Sequence, residues 1–344
     1  MSNKPPIEVP QGAIRLNTDS QKLEFYAQDQ WFEMATDVPT LDGGVRGFFI
    51  GGYNSEDRID FITISTQGNA TDFGNLTKGR AEGAGFSNAT RALAAGDAVP
   101  GSDDTIDVWT MASTGDAVDF GNLLSSTNNA QGFGALANAT RGIFGGGYQA
   151  GGGQVNILQF VTINSNGNAI DFGDLEGNSG QFSGTVGGSS PTRGLFFGGG
   201  PSGSANTKIQ YVNIATTGNG QEFGDRIDTK GHGTTASNSV RIVYFHGQSN
   251  LNSIEFVTTA TLGNAVDFGD MTLTNHYGAT SNSSATRGCL AGGWNPSGPN
   301  ANVVHETIEY IEIMSQGDAV DFGDLSTARF LLNKGCISTG HGGL

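Results

Sequence analysis

Two short signals recur six times in the same order along this chain, and they constrain the fold more than any other feature. The first is an arginine opening a short apolar run: Arg46, Arg91, Arg141, Arg193, Arg241 and Arg287, spaced 45 to 52 residues apart. The second follows 26 to 34 residues later as an acidic-Phe-Gly tripeptide. Its copies are Asp72-Phe73-Gly74, Asp119-Phe120-Gly121, Asp171-Phe172-Gly173, Glu222-Phe223-Gly224, Asp267-Phe268-Gly269 and Asp321-Phe322-Gly323. A period of this size marks an array of small units, none of which buries a core without its neighbours.

Each unit reads as four short strands. In the unit around 278–325 the strands are expected at Gly278–Ser281, Thr286–Ala291, Ile308–Met314 and Ala319–Leu325, with turns rich in Gly, Asn and Ser between them. The 55 glycines have no three-residue period, so collagen is excluded, and 21 phenylalanines supply apolar surface to bury. Glycine pairs after the second strand (Gly51-Gly52, Gly146-Gly147, Gly198-Gly199, Gly292-Gly293) permit turns where a Cβ would clash. Four-stranded antiparallel sheets stacked radially form a β-propeller. The expected fold is therefore all-β: a six-bladed propeller over residues 42–344. The first unit lacks a first strand, and Gly335–Thr339 supplies one, so this C-terminal strand is expected to pair with Arg46–Gly51 and close the ring.

Residues 1–41 lie outside the repeat. Ala13–Asn17, Lys22–Tyr26 and Gln30–Met34 read as a β-hairpin with a third strand, a small arm whose apolar residues are Ile14, Leu16, Leu23, Phe25, Trp31 and Phe32. The first residues have no signal-peptide core, and no run of 18 apolar residues occurs, so no membrane insertion is expected. A formal charge of −16 disfavours nucleic acid and anionic lipid as partners. The two cysteines, Cys289 and Cys336, sit in strand contexts and read as buried thiols.

The repeat resembles kelch repeats: a glycine pair closes the second strand, the third carries an aromatic (Phe61, Tyr211, Tyr310), and an arginine opens the following unit (Arg80, Arg329). Phe replaces the kelch Trp of the fourth strand, which marks a divergent branch. The arm GAIRLNTDSQKLEFYAQDQWFEM, with TRGxFxGG-like and GNAxDFGDL-like repeats, is similar to structural proteins of marine and cyanobacterial tailed bacteriophages. That resemblance implies a virion protein, with the arm contacting other virion proteins, and a homotrimer.

Turns joining strands one to two and three to four (Gly68-Asn69, Gly167-Asn168, Gly263-Asn264) are short and uniform, whereas the remaining loops vary. Variable loops on a rigid scaffold are where binding residues collect. The candidates are Tyr53, Tyr148, His276, Tyr277, Trp294 and Asn295, whose rings and amides suit a host-surface glycan or protein. Enzyme readings are weaker. A sialidase-like glycosidase needs convergent carboxylates, and here the acids recur with the repeat. A copper oxidase needs clustered ligands, and His232, His246, His276, His305 and His341 lack ligand spacing. Asp103-Asp104 could hold calcium, but an exposed acidic loop is the plainer reading. No catalytic, cofactor or metal residue is assigned. The expected function is a non-enzymatic tail fibre or accessory adhesin. The alternatives are a head-decoration protein, a cellular kelch-like scaffold, and the glycosidase.

Overall fold

The computed structural model describes residues 9–17, 22–33, 45–53, 56–97, 104–124, 130–149, 153–177, 184–198, 207–229, 231–247, 251–274, 276–295, 302–330 and 334–344. The fold is all-β, built of separate small antiparallel sheets rather than one continuous sheet. Among the described residues no helix is long and apolar enough to cross a membrane. The chain divides into two compact units, Met1–Gly43 and Gly44–Leu344.

In the larger unit, six sheets follow one another in sequence. The second comprises Ala84–Ser87, Arg91–Ala95, Thr105–Thr110 and Val118–Asn122. The third comprises Gly134–Ala137, Arg141–Gly145, Ile157–Thr162 and Ile170–Asp174. The fourth comprises Val186–Ser189, Arg193–Phe197, Lys208–Asn213 and Gln221–Asp225. The fifth comprises Thr234–Ser237, Arg241–Phe245, Ser253–Thr258 and Val266–Asp270, and the sixth Thr280–Ser283, Arg287–Ala291, Thr307–Glu312 and Val320–Asp324. The first sheet has only three strands, Arg46–Ile50, Arg58–Thr63 and Thr71–Asn75. Its missing strand is replaced by a short antiparallel bridge, Gly47 to Ser338. There Phe48 N–H donates to Ile337 O at 2.9 Å and Thr339 N–H to Arg46 O at 3.0 Å.

The first strand of the sixth sheet lies two residues later than expected. Ser284 explains the shift: its hydroxyl accepts the backbone N–H of Thr286 (3.3 Å) and Arg287 (3.0 Å), so the turn starts at Ser284 rather than Asn282. Three of the variable loops hold strands of their own, which the sequence does not announce. Ala130–Gln131, Tyr148–Gln149 and Gly153–Gln154 form a three-stranded ribbon, and Trp294–Asn295 pairs with Val303–Val304.

Three contacts fasten each sheet to the next, and each is repeated between the sixth sheet and the first. In the fourth strand, the acidic-Phe-Gly tripeptide is a bulge: pairing shifts register there, as between Asp119 and Gly121. The following sheet's Gly-Asn or Gly-Asp turn docks on it. Gly167 N–H donates to Phe120 O at 2.9 Å, Ala169 N–H to Asn122 O at 2.8 Å, and Asn168 Oδ1 accepts Asn122 N–H at 3.0 Å. Gly68, Ala70 and Asn69 make the same three bonds to Phe322, Asp324 and Asp324 of the sixth sheet. The bulge glycine has no room for a side chain: a Cβ on Gly121 would strike the backbone of Gly167, and one on Gly323 that of Gly68.

The recurring arginine makes the second contact. It donates to the carbonyl ending the next sheet's third strand: Arg91 to Ile163 (2.7 Å), Arg193 to Thr259 (2.7 Å), and Arg287 back to Ile64 (3.3 Å). The third contact is a polar side chain buried in the third strand: Asp60, Asp107, Gln159, Gln210, Glu255 and Glu309. Gln159 accepts Leu124 N–H at 2.8 Å from the preceding unit, and Asp60 accepts the Ser326 hydroxyl at 2.6 Å from the sixth. First strands also neighbour one another, through hydroxyls donated to a carbonyl of the preceding sheet's first strand. Examples are Ser189 to Ala137 (2.7 Å), Ser283 to Ser237 (2.7 Å) and Ser338 to Ser283 (2.6 Å).

The smaller unit is a three-stranded antiparallel meander, Ile14–Asn17, Lys22–Ala27 and Gln30–Glu33, close to the expected bounds. Its register sets Ile14 opposite Phe25 and Phe25 opposite Phe32 on one side, with Leu16 opposite Leu23. Arg15, Glu24, Tyr26 and Trp31 alternate onto the other side. There Arg15 pairs with Glu24 at 2.7 Å and its guanidinium covers the Trp31 ring at 4.1 Å. Ile14 and Leu16 are 64% and 60% exposed.

Candidate functional site

The turns joining strands one to two and three to four meet at one end of each sheet, as Met111 N–H donating to Thr90 O (2.9 Å) and Ile163 N–H to Thr140 O (2.9 Å) illustrate. At the other end, five aromatic rings from five separate loop segments form a continuous run in the sector of the fifth, sixth and first sheets. Tyr53 stacks on Phe330 at 4.7 Å and 24°; Phe330 meets Trp294 at 5.3 Å. Trp294 meets Tyr277 edge-on at 6.1 Å, and Tyr277 stacks on His232 at 4.5 Å and 29°. Backbone bonds knit the segments together: Tyr53 N–H to Phe330 O (2.7 Å), Trp294 N–H to Tyr277 O (3.0 Å) and Gly293 N–H to Arg329 O (2.9 Å). Tyr53, with one ring face on Phe330, is still 51% exposed. The other four rings are half-buried.

Three of the six loop residues singled out from sequence, Tyr53, Tyr277 and Trp294, thus stand together. The remaining three do not join them as surface contacts. Tyr148 is half-buried in the separate ribbon with Gln154. Asn295 is buried, its strand paired with Val303–Val304. His276 is buried as well, because its Nδ1 bonds the Gly292 carbonyl at 2.8 Å and its Nε2 lies 3.6 Å from Glu309. Asn295 and His276 therefore hold the loop rather than present themselves to a ligand. Asp103 and the loop around 97–103 fall outside the described residues apart from Asp97.

Beneath the aromatic run lie charges that sequence reasoning missed. Lys334 is fully buried, with Nζ 3.2 Å from His232 Nδ1, and Glu82 Oε1 stands 3.9 Å from that same nitrogen. Burial lowers the Lys334 pKa. Burial, and then Lys334 itself, holds His232 well below the ordinary histidine range, so its imidazole is neutral at physiological pH. Burial and the nearby Glu82 raise Tyr277. One signal was available in the sequence. Lys334 takes the repeat position filled by Gly83, Phe133, Thr185, Gly233 and Ala279, and a charge among small and apolar residues marks an exception. Arg329, in the segment that carries Phe330, is locked below the run by Asp60 Oδ2 at 2.5 Å and by Gly51 O at 3.0 Å.

Chemically, the run offers an aromatic platform whose accessible end is one open face of Tyr53. Such a face stacks against the C–H groups of a sugar or an apolar side chain. Among the described residues, no group of three or more His, Cys, Asp or Glu is placed to hold a metal ion. Cys289 and Cys336 are free and buried, and burial pushes the Cys336 thiol up to about 11. No protein-family model matches this chain, and no curated protein is significantly similar to it.

Proposed function

We propose that the six sheets are the blades of a kelch-like β-propeller, and that the protein is a non-enzymatic virion component of a tailed phage, a tail fibre or accessory adhesin. In this reading the variable loops bind a host-surface glycan or protein while the arm attaches the propeller to other virion proteins. The propeller reading is supported by the three fastening contacts, each recurring from the sixth sheet to the first. The binding reading is carried by one observation: five rings from five loops converge at the end opposite the uniform turns and leave Tyr53 half open. The arm reading draws support from the exposed Ile14 and Leu16.

The test is binding of the full chain to a glycan array spanning bacterial surface polysaccharides, alongside Tyr53→Ala. Saturable binding weakened about tenfold or more by the substitution is expected, since a single stacked aromatic anchor commonly contributes that much. Binding unchanged in Tyr53→Ala removes the aromatic run from the site. Light scattering on the full chain and on Ile14→Asp/Leu16→Asp tests the arm. An oligomer that becomes a monomer is expected, and two monomers refute self-assembly through this face.

A further inference from the structure

The second sheet breaks a pattern that the other five keep. In those five, an aromatic ring in the third strand lies under the recurring arginine: Phe61 under Arg46 (5.2 Å), Phe160 under Arg141 (4.3 Å), Tyr211 under Arg193 (4.7 Å), Phe256 under Arg241 (4.4 Å) and Tyr310 under Arg287 (4.7 Å). Each ring also meets the phenylalanine of the acidic-Phe-Gly bulge edge-on, at 5.7 to 6.3 Å. In the second sheet the equivalent residue is Val108, paired across the sheet with Val118. Arg91 instead sinks toward the bulge ring itself, Phe120, at 5.5 Å. The aromatic residue has moved one position along, to Trp109, where it turns the other way and packs edge-on against Phe48 of the first sheet.

The place of the missing ring is a cleft. It measures about 230 Å³ and is lined by Arg91, Val108, Thr110, Thr114, Asp116 and Val118, among others. Its floor is Val108 and its rim Val118, which is 60% exposed. Arg91 is held over it by bonds to Ile163 O at 2.7 Å and Asn166 Oδ1 at 2.5 Å. A guanidinium fixed in this way attracts the negative face of an aromatic ring.

We propose that this cleft is an acceptor for an aromatic side chain of a protein partner, which supplies from outside the third-strand ring that the other five sheets carry themselves. A phenyl ring fits the chemistry better than a pyranose, because the guanidinium seeks a π face that a sugar lacks. This site is independent of the Tyr53 run and stands or falls separately from it.

The probe is N-acetyl-L-phenylalaninamide, titrated into the full chain while the methyl resonances of Val108 and Val118 are followed by NMR. We expect a saturable shift of both, at least fivefold larger than with N-acetyl-L-leucinamide or methyl β-D-glucopyranoside, and its loss in Val108→Phe. That variant should also melt at higher temperature, with the Arg91 Nε–H resonance moved upfield by the ring beneath it. Equal responses to the three probes overturn the proposal, and a larger response to the glucoside makes the cleft a sugar site instead. A Val108→Phe protein that melts lower, or fails to fold, shows that the slot has no room for a ring and overturns it as well.

Discussion

Much of the seam between neighbouring sheets is decided by which residue carries the bulk. The third residue of each first strand faces the residue that follows the recurring arginine in the next sheet. A Cβ on Gly142 would strike the Phe86 ring, one on Gly194 the Leu136 side chain, and one on Gly47 the amide of Asn282. At one seam the relation inverts: the first-strand residue is Gly188, which leaves room for Ile242. Gly142→Ala should therefore cost about 1–3 kcal/mol, since overpacking a filled core forces its neighbours off their rotamers. Phe86→Leu in the same chain should recover most of that loss; urea unfolding of the two variants reads both. A second prediction concerns His341. Burial holds its pKa at about 4, with Nε2 bonded to Ser87 O (2.7 Å) and Nδ1 accepting Gly343 N–H (3.1 Å). The unfolded chain takes up this proton near pH 6.5 and the folded one near 4. Stability is thus whole above about 6.5 and falls as pH drops through that window, by on the order of 3 kcal/mol. His341→Gln should flatten the loss of urea midpoint between pH 7 and pH 4.5; an equally steep loss refutes the assignment.

At the scale of the element, the bulge and its docking turn behave as one device. Gly121 has φ +152° and its Cβ position is occupied by the backbone of the next turn, which cannot rotate aside as a side chain can. Gly121→Val should accordingly cost more than Gly142→Ala, and Asn168→Ala, which removes only the bond to Asn122 N–H, about 1 kcal/mol. Thermal melting of the three variants ranks them. Most strand positions were legible, because Arg-apolar runs and Asp-Phe-Gly signals carry backbone consequences that repeat. The first strands were legible less well, since Thr280–Ser283 and Val186–Ser189 hold few apolar residues and are buried on both sides by neighbours far away in sequence. Of the candidate site, Tyr53, Tyr277 and Trp294 could be read from aromatic residues in variable loops. His276 and Asn295 misled because nothing local says which way a loop side chain turns. Phe330 and His232 escaped because their partners come from other units, and no spacing along the chain records that meeting.

For the molecule as a whole, identical fastenings at every seam predict uniform coupling. Arg287, bonded to Ile64 and Ser65 of the first sheet, sits as Arg141 does, bonded to Ile214 and covering Phe160. Arg287→Met and Arg141→Met should each cost about 1.5–3 kcal/mol, the range for hydrogen bonds from a charged donor, and residues 44–344 should still unfold in one transition. A first-to-sixth seam opening ahead of the rest would appear as early exchange of the Gly68 and Ala70 amides, which donate to Phe322 O and Asp324 O, and would sink the ring reading. The pairing of bulk across the seams reaches further still. Repeats invite unequal crossing-over in a gene, and interchangeable units would survive it. Here an exchange of the third and fifth units would set Phe86 against Ile242 and Gly188 against Gly142, one seam overfilled and its fellow hollow. The six units are thus addressed to their neighbours, and their order along the chain is part of what holds the seams together.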